Sequence, residues 1–353
     1  MKEEKNFEPL KKAFIQNNWH WAESEELFKN INVKNKEHMW LYNYGDAVFV
    51  ERNHPVLMKC RGLVVSANGV VFNYPFDRFF NEFEKEKPTI QWENAEIQEK
   101  IDGSLICVFH NGKTWEVTTR GTFYPLEKAD IDFSALFKQH FNVFNKLEKG
   151  ACYMFEIITT KNRIVTWYNH QGVYLIGARL LHNFCEFSQN KLDHLAADLG
   201  VYRPKRYQAF NIDDCKRLFQ NFKDDEEGLV VVDSLFNRIK LKQESYIKLS
   251  KIKMLNEQEI FEYILGKTAI DVEYIAMLPE VQEVLEKIKT EWETIVVKIE
   301  AAFAALQDKP TRKEFAFEAI KYPFKKILFA LYDKKDYTKL SLHWDEVKSW
   351  NGY

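Results

Sequence analysis

The sequence has 353 residues, which is longer than one typical domain, so we expect two domains. Apolar residues make up 46% of the chain, enough to form sizeable cores. The 50 lysine and arginine residues and 52 aspartate and glutamate residues give a net charge of −2, which argues against a protein that grips nucleic acid over its whole surface. Any site for a polyanion must therefore be local.

The cysteines and the first residues indicate the compartment. Five cysteines without a CxxC pair predict neither a disulfide framework nor a zinc knuckle, and they suit a reducing environment. The first residues, MKEEKNFEPLKK, are charged where a signal peptide is apolar, and no run of about eighteen apolar residues could span a bilayer. We expect a soluble, cytoplasmic protein without a membrane partner.

The first forty residues are predicted to be mainly helical, and short apolar strands follow them. Asn68-Gly69 separates GLVVS from VVFNY, and Asn111-Gly112 separates SLICVF from TWEVTT. Both residue types tolerate positive φ, so each pair predicts a hairpin of antiparallel strands. Further strands are predicted at CYMFEII, GVYLIGAR, EGLVVV and RIKLK, with helices at about 126–148, 188–198 and 212–222. This pattern predicts an α+β domain with antiparallel sheets.

Beyond Lys253 the strand pattern stops and helical spacing takes over. Pro279 stands where the first turn of a helix tolerates proline. Apolar residues recur after it at a helical period: Val281, Val284, Leu285, Ile288, Trp292, Ile295, Ile299, Phe303 and Leu306. Another helix is predicted from about Arg312, ending before Pro323. We therefore predict one domain at 1–250 and a helical domain at 251–353.

The segment QEKIDGSLICVF, residues 98–109, places Lys100 and Asp102 at the mouth of a strand. A lysine amine is a nucleophile only without its proton, and at an ordinary pKa of about 10.4 fewer than roughly one in a thousand is ready at neutral pH. Burial and neighbouring cations lower this pKa, and Gly103 permits close backbone approach. We interpret Lys100 as a desolvated, uncharged nucleophile; the alternative is a solvated pair of Lys100 with Asp102.

Two lysines and two glutamates lie in or next to other predicted strands. Lys240 and Lys242 point to one face of RIKLK, about 7 Å apart, where a polyanion would relieve their repulsion. Glu156 and Glu227 are costly beside apolar strands unless they meet a cation or a metal. For all four, a sheet edge that faces water is the alternative. Together with Lys100, they describe a site for attack on a nucleoside triphosphate.

Neither GxxxxGK[ST] nor GxGxxG occurs, so the common phosphate-binding loops are excluded and the lysine itself must carry the reaction. With KIDG at 100–103, the chain resembles the covalent nucleotidyltransferases, the superfamily of ATP-dependent polynucleotide ligases and messenger RNA capping enzymes, whose nucleophile lies in KxDG. More narrowly, it resembles the bacteriophage RNA ligase 1 family. The supporting segments run in the family's order: YNY at 42–44, KCRG at 59–62, DRFFN at 77–81, KIDGSL at 100–105, FEIITTKNRIV at 155–165, EGLVV at 227–231 and KLKQESY at 240–246.

The resemblance implies a role for the residues that match these motifs. Lys100 would attack the α-phosphorus of ATP and become lysyl-AMP, and Asp102 would assist the later steps. Arg61 and Arg120 would contact phosphates, although Arg120 stands where the family usually has a lysine, and the two side chains are not equivalent.

The resemblance also implies how metal and nucleotide are held. Glu156 and Glu227 would serve the ribose and a catalytic Mg²⁺ or Mn²⁺ ion, while Lys240 and Lys242 would hold the triphosphate and orient the leaving pyrophosphate. The further residues implied at the nucleotide are Tyr42, Gly103, Val230 and Tyr246.

What the resemblance implies overall is a nucleotidyltransferase domain of the ATP-grasp-like ligase kind, followed by an all-helical domain in which TRKEFAFEA at 311–319 resembles the family's C-terminal domain. The activity implied is that of an ATP-dependent RNA ligase, which joins 5′-phosphate and 3′-hydroxyl ends through lysyl-AMP and RNA-adenylate. We expect a monomer that acts on single-stranded RNA or on a cleaved transfer RNA anticodon loop. The alternatives are a nick-sealing RNA ligase, a messenger RNA capping guanylyltransferase and an inactive RNA-binding module.

Overall fold

The computed structural model describes residues 5–21, 28–45, 53–124 and 131–352. The chain divides into two compact units, Met1–Tyr246 and Ile247–Tyr353, while the sequence pattern predicts a boundary near 250. In the part of the chain that is described, no helix has both the length and the apolar character needed to cross a membrane.

The described part of the first unit contains strands that form three sheets. The strands are β1 (Ile31–Lys36), β2 (Met39–Tyr44), β3 (Arg61–Ser66), β4 (Val71–Asn73), β5 (Phe80–Asn81), β6 (Glu96–Glu99), β7 (Ser104–His110), β8 (Trp115–Thr119), β9 (Ala151–Ile158), β10 (Gly172–Leu180), β11 (Arg206–Tyr207), β12 (Gly228–Val232) and β13 (Arg238–Lys242). The helices are α1 (Glu8–Gln16), α2 (Pro55–Lys59), α3 (Phe133–His140), α4 (Gln189–Leu199) and α5 (Ile212–Leu218). A further helix, α6 (Glu244–Lys253), starts in the first unit and ends in the second.

The three sheets are almost entirely antiparallel. Sheet 1 has the order β1-β2-β3-β4, sheet 2 the order β10-β9-β7-β8, and sheet 3 the order β11-β6-β12-β13-β5. All neighbouring strands run antiparallel except β13 and β5, which pair in parallel. The prediction of an α+β unit built on antiparallel sheets is confirmed.

Both hairpins predicted from Asn-Gly pairs are present. Gly69 has φ +87° between β3 and β4, and Gly112 has φ +94° between β7 and β8. In each case glycine takes a backbone conformation that a side chain disfavours, so the pair fixes the turn. The strands predicted at CYMFEII, GVYLIGAR, EGLVVV and RIKLK are confirmed as β9, β10, β12 and β13.

The prediction of mainly helical structure over the first forty residues is wrong for the described part. In the described part, α1 is helical, Phe28 and Lys29 are also in helical conformation, and β1 and β2 then form a hairpin whose last pair is Lys36 and Met39. The turn between them is formed by Glu37, at φ +54°, and His38, so no glycine or asparagine marks it in the sequence. Of the helix predicted at 126–148, residues 126–130 lie outside the described part, and α3 is its regular helical portion.

Each sheet of the first unit has its own apolar contacts. Sheet 2 packs one face against α3 and α4 and the other against sheet 1, where Phe109 and Met154 meet Leu41 and Val64. Sheet 1 covers its second face with α1 and α2, and sheet 3 packs one face on α5. The other face of sheet 3 carries Lys240 and Lys242 and lines a cavity together with residues of sheets 1 and 2.

The second unit is helical, as predicted. After α6, its helices are α7 (Glu257–Ile264), α8 (Val272–Ile275), α9 (Pro279–Leu306), α10 (Arg312–Ala319), α11 (Lys325–Tyr332) and α12 (Trp344–Lys348). On α9 the apolar face is buried as the spacing predicts, and Trp292 packs its ring 5.2 Å from that of Phe261 on α7. Thr311 caps α10 by accepting a hydrogen bond from the Glu314 amide.

Candidate active site

One face of sheet 3 forms the floor of a cavity of about 440 Å³ in the first unit. Val230, Lys240 and Lys242 point into it, since side chains on a strand alternate between the two faces. The residues between them form the core beneath the sheet: Leu229, Val231, Ile239 and Leu241. The size is that of pockets that hold small ligands, roughly 300–1,000 Å³.

The opposite wall comes from sheets 1 and 2. Glu156 on β9 is the register partner of Leu105 on β7, and both line the cavity. Arg61, the first residue of β3, and Arg120, which follows β8, add two guanidinium groups. The cavity is therefore cationic on two sides and carries a carboxyl group on one wall.

Lys100 lies where sheet 3 passes into sheet 2, and Glu227 faces it. The Lys100 amide donates a hydrogen bond to the Gly228 carbonyl at 2.8 Å, which continues the ladder of β6 and β12 by one residue. Gly228 is also the register partner of Lys242 on β13. The backbone pairing of three strands thus brings two ammonium groups to one carboxylate.

Glu227 bridges the two lysines with separate oxygens. Lys100 Nζ lies 2.6 Å from Oε2 and Lys242 Nζ lies 2.8 Å from Oε1. The glutamate side chain is only 5% exposed, so these ion pairs compensate a charge that water cannot reach. The alternative pairing of Lys100 with Asp102 in solvent does not form, because Asp102 is engaged elsewhere.

The prediction that Lys100 rests uncharged is wrong for the free protein. Burial lowers the pKa of the amine, but the nearby carboxylates of Glu227, Glu156 and Asp102 outweigh it, and the net effect raises the pKa. The burial and the neighbouring cations are as expected from the sequence. The contact that the sequence does not indicate is that of Glu227, which comes within hydrogen-bonding distance of the amine. An ammonium group in this position has no lone pair with which to attack.

Lys240, in contrast to Lys100, has a lowered pKa. Burial and then the positive charges of Lys100, Lys242 and Arg61 lower the pKa of Lys240 to about 8. The close approach of like charges predicted for RIKLK is therefore present, and it acts on Lys240. An anion bound in the cavity would favour its charged form.

Glu156 shows the opposite effect. Burial, supported by the negative charge of Glu227, raises the pKa of Glu156 to about 8 even though Lys100 and Arg61 act against it. A carboxyl group of this kind gains its charge readily only when another positive group arrives. A cation bound beside Glu156 would therefore favour its charged form.

Gly103 and Asp102 position Lys100 without lining the cavity. A Cβ atom on Gly103 would lie 2.4 Å from the Ile157 carbonyl oxygen, so the predicted close approach is present and only glycine fits it. Asp102 Oδ2 accepts hydrogen bonds from the amides of Val165 and Thr166, each at 2.8 Å. Its Oδ1 accepts one from the Tyr246 hydroxyl at 2.7 Å, which also places Tyr246 outside the cavity.

Tyr42 lies in the core of sheet 1 and not in the cavity. Its side chain is fully buried, and its hydroxyl donates to the Asn6 carbonyl at 3.0 Å. Tyr44 lines the cavity in its place. The register between β2 and β3 shifts at this point because Gly62, at φ +93°, is an extra residue that forms a bulge, and this turns Arg61 towards the cavity while Leu63 stays in the core.

Arg78 and Phe79 are cavity residues to which the sequence argument gave no role. The guanidinium of Arg78 lies 5.7 Å from the Tyr44 ring centroid, and that of Arg120 lies 5.4 Å from the same ring. In the same way, two cations lie near the Phe79 ring: the Arg61 guanidinium at 5.6 Å and the Lys240 ammonium at 5.7 Å from its centroid. The sequence feature that could have indicated these two residues is the segment DRFFN, which places a cation and two aromatic residues together.

Gln98 is a second residue that sequence reasoning missed. It lies on β6 opposite Val230 and lines the cavity. Its Nε2 donates to Oε1 of Gln189 at 2.5 Å, and a guanidinium nitrogen of Arg203 donates to the same oxygen at 2.6 Å. Because a guanidinium only donates, Gln189 Oε1 is fixed as the acceptor, and this in turn fixes Nε2 of Gln98 as the atom that faces Gln189.

The donor set of the cavity fits a hard divalent cation such as Mg²⁺. Glu156 presents carboxyl oxygens, which these ions prefer, and an ion at Glu227 would take the place of Lys100 or Lys242 at one of its oxygens. Among the described residues that line the cavity there is no thiol or imidazole. Within the described ranges, no group of three or more histidine, cysteine, aspartate or glutamate side chains is placed to hold a metal. The residues therefore suit an ion that takes one or two carboxylates and completes its shell with substrate phosphates and water.

Comparison with known proteins adds the family. The model of the RNA ligase family matches residues 59–246, which spans every cavity residue from Arg61 to Lys242. The chain is similar to a protein named "Putative bifunctional polynucleotide kinase/RNA ligase", from Autographa californica nuclear polyhedrosis virus, at 27% identity over 298 residues. That match covers 72% of this chain but only 40% of the viral protein.

Two further likenesses cover most of the chain. An RNA ligase of Rhodothermus phage RM378 is 21% identical over 388 residues, with 86% of this chain and 87% of the phage protein covered. A solved archaeal ATP-dependent RNA ligase is 16% identical, with a TM-score of 0.47 and coverage of 80% of this chain and 78% of the other. The family match, which extends over more than half of the residues, decides the assignment: this chain is a member of the RNA ligase family.

Proposed function

We propose that the protein is an ATP-dependent RNA ligase that joins a 5′-phosphate to a 3′-hydroxyl through an AMP group carried on Lys100. The observation that carries this proposal is the position of Lys100, whose amine meets Glu227 in a cavity edged by several cations. Those cations, Arg61, Arg120 and Lys240, match the charge of a triphosphate.

In the first step, the Lys100 nitrogen would form a bond to the α-phosphorus while the bond from that phosphorus to the bridging oxygen breaks and pyrophosphate leaves. The ammonium must first lose a proton, and Glu227 Oε2, which accepts a hydrogen bond from it at 2.6 Å, would take that proton. A divalent cation at Glu156 and Glu227 would supply positive charge that lowers the pKa of Lys100 and offsets charge on the phosphate oxygens. Lys240 and Lys242 would hold the leaving pyrophosphate, and Arg61 would hold a phosphate oxygen.

In the later steps, AMP would pass from Lys100 to the RNA 5′-phosphate, and the 3′-hydroxyl would then displace it. These steps release the lysine and AMP, so the enzyme is regenerated. Asp102 would act by position, since both of its oxygens are already occupied by hydrogen bonds to Val165, Thr166 and Tyr246.

ATP is preferred over GTP in this proposal because of Gln98. Its Nε2 contacts Gln189, and its carbonyl oxygen is an acceptor, which would suit the amino group at position 6 of adenine and oppose the carbonyl at the same position of guanine. Val230, on the neighbouring strand, would lie against the base. A capping guanylyltransferase would need the reverse arrangement.

The test of the first step is direct. Wild type and Lys100→Ala are incubated with ATP or GTP labelled at the α-phosphate and a magnesium salt, and bound label is read on a denaturing gel. We expect label from ATP on wild type only. Label from GTP would favour the capping reaction, and no label from either nucleotide would favour an inactive RNA-binding module.

The substrate proposed is a break in single-stranded or looped RNA, such as a cleaved transfer RNA anticodon loop. The test offers nicked duplexes, linear single strands and a cleaved anticodon stem-loop to the same preparation. Faster sealing of the nicked duplex would contradict this part of the proposal and leave the adenylylation step untouched. We also propose a cytoplasmic location, which suits five cysteines that are all unpaired with one another; the expected monomeric state stays a prediction.

A further inference from the structure

Trp167 is a large apolar side chain that the fold holds at the surface next to the reactive segment. It is 55% exposed, although its backbone is firmly anchored. The Trp167 amide donates to Asp225 Oδ2 at 2.7 Å, and the hydroxyl of Thr166 donates to the Asp225 carbonyl at 2.6 Å. Asp225 in turn lies two residues before Glu227.

The same loop is tied to Asp102 from the other side. The Thr166 amide donates to Asp102 Oδ2 at 2.8 Å, and the Asp102 amide donates to the Tyr168 hydroxyl at 2.8 Å. Asp102 lies two residues from Lys100, a reach of at most about 7 Å along the chain. The exposed indole is therefore fixed relative to the nucleophile.

Positive charge accompanies the indole. The Arg163 guanidinium lies 4.1 Å from the Trp167 ring centroid, and the exposed Lys161 lies two residues further back in the chain. A guanidinium beside an indole combines a flat, polarisable ring with a positive charge. This is the combination that binds unpaired nucleobases together with the phosphates between them.

A second exposed aromatic extends this surface. Tyr202 is 48% exposed, and its ring lies 4.7 Å from that of His170, which lines a shallow cleft together with Trp167 and Asp102. The Tyr202 backbone is fixed on β10, because its amide donates to the Val173 carbonyl at 3.0 Å and its carbonyl accepts from the Leu175 amide at 2.9 Å. Both rings thus have rigid supports.

We propose that Trp167 and Tyr202 form a stacking platform for unpaired bases of the RNA strand that is being joined, an inference that rests on the proposed RNA ligase activity. Lys161 and Arg163 would contact the phosphates of the same strand. The platform favours single strands over nicked duplexes, because bases within a duplex are already stacked on one another and cannot reach the indole.

The test compares Trp167→Ala, Trp167→Phe and Tyr202→Ala with the control Phe210→Ala, which removes another exposed aromatic of the same unit. Fluorescence anisotropy measures the affinity of each full-length protein for a short labelled single-stranded RNA and for a nicked duplex. Label transfer from ATP measures adenylylation in the absence of RNA. Circular dichroism confirms that each variant is folded.

Trp167→Ala should weaken single-strand binding by about 5- to 150-fold, the range that corresponds to loss of one stacked base. Trp167→Phe should retain most of the affinity, Tyr202→Ala should lose part of it, and Phe210→Ala should match wild type. Adenylylation and binding of the nicked duplex should be unchanged in all four.

Two results would overturn the platform: single-strand affinity of Trp167→Ala equal to that of wild type, or an equal loss of adenylylation and RNA binding, which would make Trp167 a structural residue. Absence of adenylylation in wild type would instead contradict the proposed function. The binding comparison would still decide the platform in that case.

Discussion

The Tyr246 hydroxyl donates a hydrogen bond to Asp102 Oδ1 at 2.7 Å, which joins the start of α6 to the segment that carries Lys100. Burial, together with the negative charges of Glu227 and Asp102, raises the pKa of Tyr246, so the phenol keeps the proton it donates. With Asp102 Oδ2 held by two amides, this bond completes the fixation of that carboxylate.

Tyr246→Phe should therefore leave a buried carboxylate oxygen without its donor. We expect a loss of about 1.5–3 kcal/mol in the free energy of unfolding, which is typical of a hydrogen bond to a charged group. Urea denaturation measures this change, and single-turnover label transfer from ATP should slow in parallel. Tyr124→Phe is the control, since its hydroxyl bond to the Asn35 carbonyl lies at the surface and its loss should cost less than about 0.5 kcal/mol. Equal effects of the two changes would contradict the role given to Tyr246.

Glu227→Gln should make Lys100 more reactive towards simple acylating reagents. The negative charge of Glu227 is among the causes that raise the pKa of Lys100, so its removal lowers that pKa and enlarges the neutral fraction at a fixed pH. Each tenfold gain in labelling corresponds to a pKa lowered by about one. Peptide mass spectrometry in metal-free buffer measures the labelling, with the exposed Lys149 as the internal reference.

The same variant should be impaired in adenylylation, because Glu227 is proposed to help hold the divalent cation. If labelling of Lys100 rises in Glu227→Gln while adenylylation falls, the charge of Lys100 and its proposed catalytic use depend on Glu227 in different ways. Unchanged labelling of Lys100 in Glu227→Gln would show that this carboxylate does not control the amine.

Lys240 predicts a pH dependence of pyrophosphate binding. With its pKa near 8, Lys240 is charged below that pH and loses its charge above it, so metal-free affinity for inorganic pyrophosphate should fall as the pH rises from about 7 to 9. Isothermal titration calorimetry measures the affinity. Lys240→Arg keeps its charge throughout and corrects for titration of the ligand and of Glu156, whose pKa is also about 8, so the difference between the two proteins should grow with pH. Parallel curves would exclude Lys240 as the titrating group.

Gly103→Ala tests the close approach between the segment that carries Lys100 and β9. The added methyl group would meet the Ile157 carbonyl at 2.4 Å, a backbone atom that cannot move aside cheaply. We expect a destabilisation of at least about 1–3 kcal/mol in urea unfolding and loss of adenylylation. Gly150→Ala is the matched control, because a Cβ there meets no atom within 4 Å. A stable, active Gly103→Ala protein would contradict the packing described.

Glu186 predicts how the first unit responds to acid. Burial raises the pKa of its carboxyl, but the guanidinium groups of Arg238 and Arg179, at 2.5 and 2.6 Å, outweigh this and lower it. The stabilisation is therefore complete above the ordinary pKa of 4.5 and is lost as the pH falls through the lower value of the folded state. Glu186→Gln should cost about 3–5 kcal/mol at neutral pH, since it leaves two buried guanidinium groups unpaired.

The measurement for Glu186 is urea unfolding at a series of pH values from neutral to acid. The variant should lack the part of the wild-type acid response that this carboxyl contributes, and the exposed control Glu93→Gln should keep it. Identical acid responses of wild type and Glu186→Gln would assign the acid sensitivity to other groups.

Much of the fold could be predicted where local chemistry decides it. The turns at Gly69 and Gly112 follow from the backbone freedom of glycine, and the alternation in RIKLK places Lys240 and Lys242 on the cavity face as expected. The hairpin of β1 and β2 could not be predicted in this way, because its turn residue Glu37 has no intrinsic preference for positive φ.

The site was less predictable where it depends on contacts between distant segments. Motif order brings Lys100, Glu156 and Glu227 into one region, but it does not say that Glu227 and Lys100 form a direct ion pair. Tyr42 and Tyr44 are equivalent in the motif YNY, and only the bulge at Gly62 decides the register around them. Gln98 gains its role from Gln189, a residue on α4 far away in sequence.

The ring of Phe79 has a consequence for the protein between reaction cycles. Its π-electrons face two like charges, Arg61 and Lys240, each less than 6 Å from the ring centroid. Such a ring attracts both cations, and this attraction offsets part of the repulsion between them. Arg61 and Lys240 can therefore keep one arrangement in the free protein. Binding of a polyanion would then require little rearrangement of these two side chains.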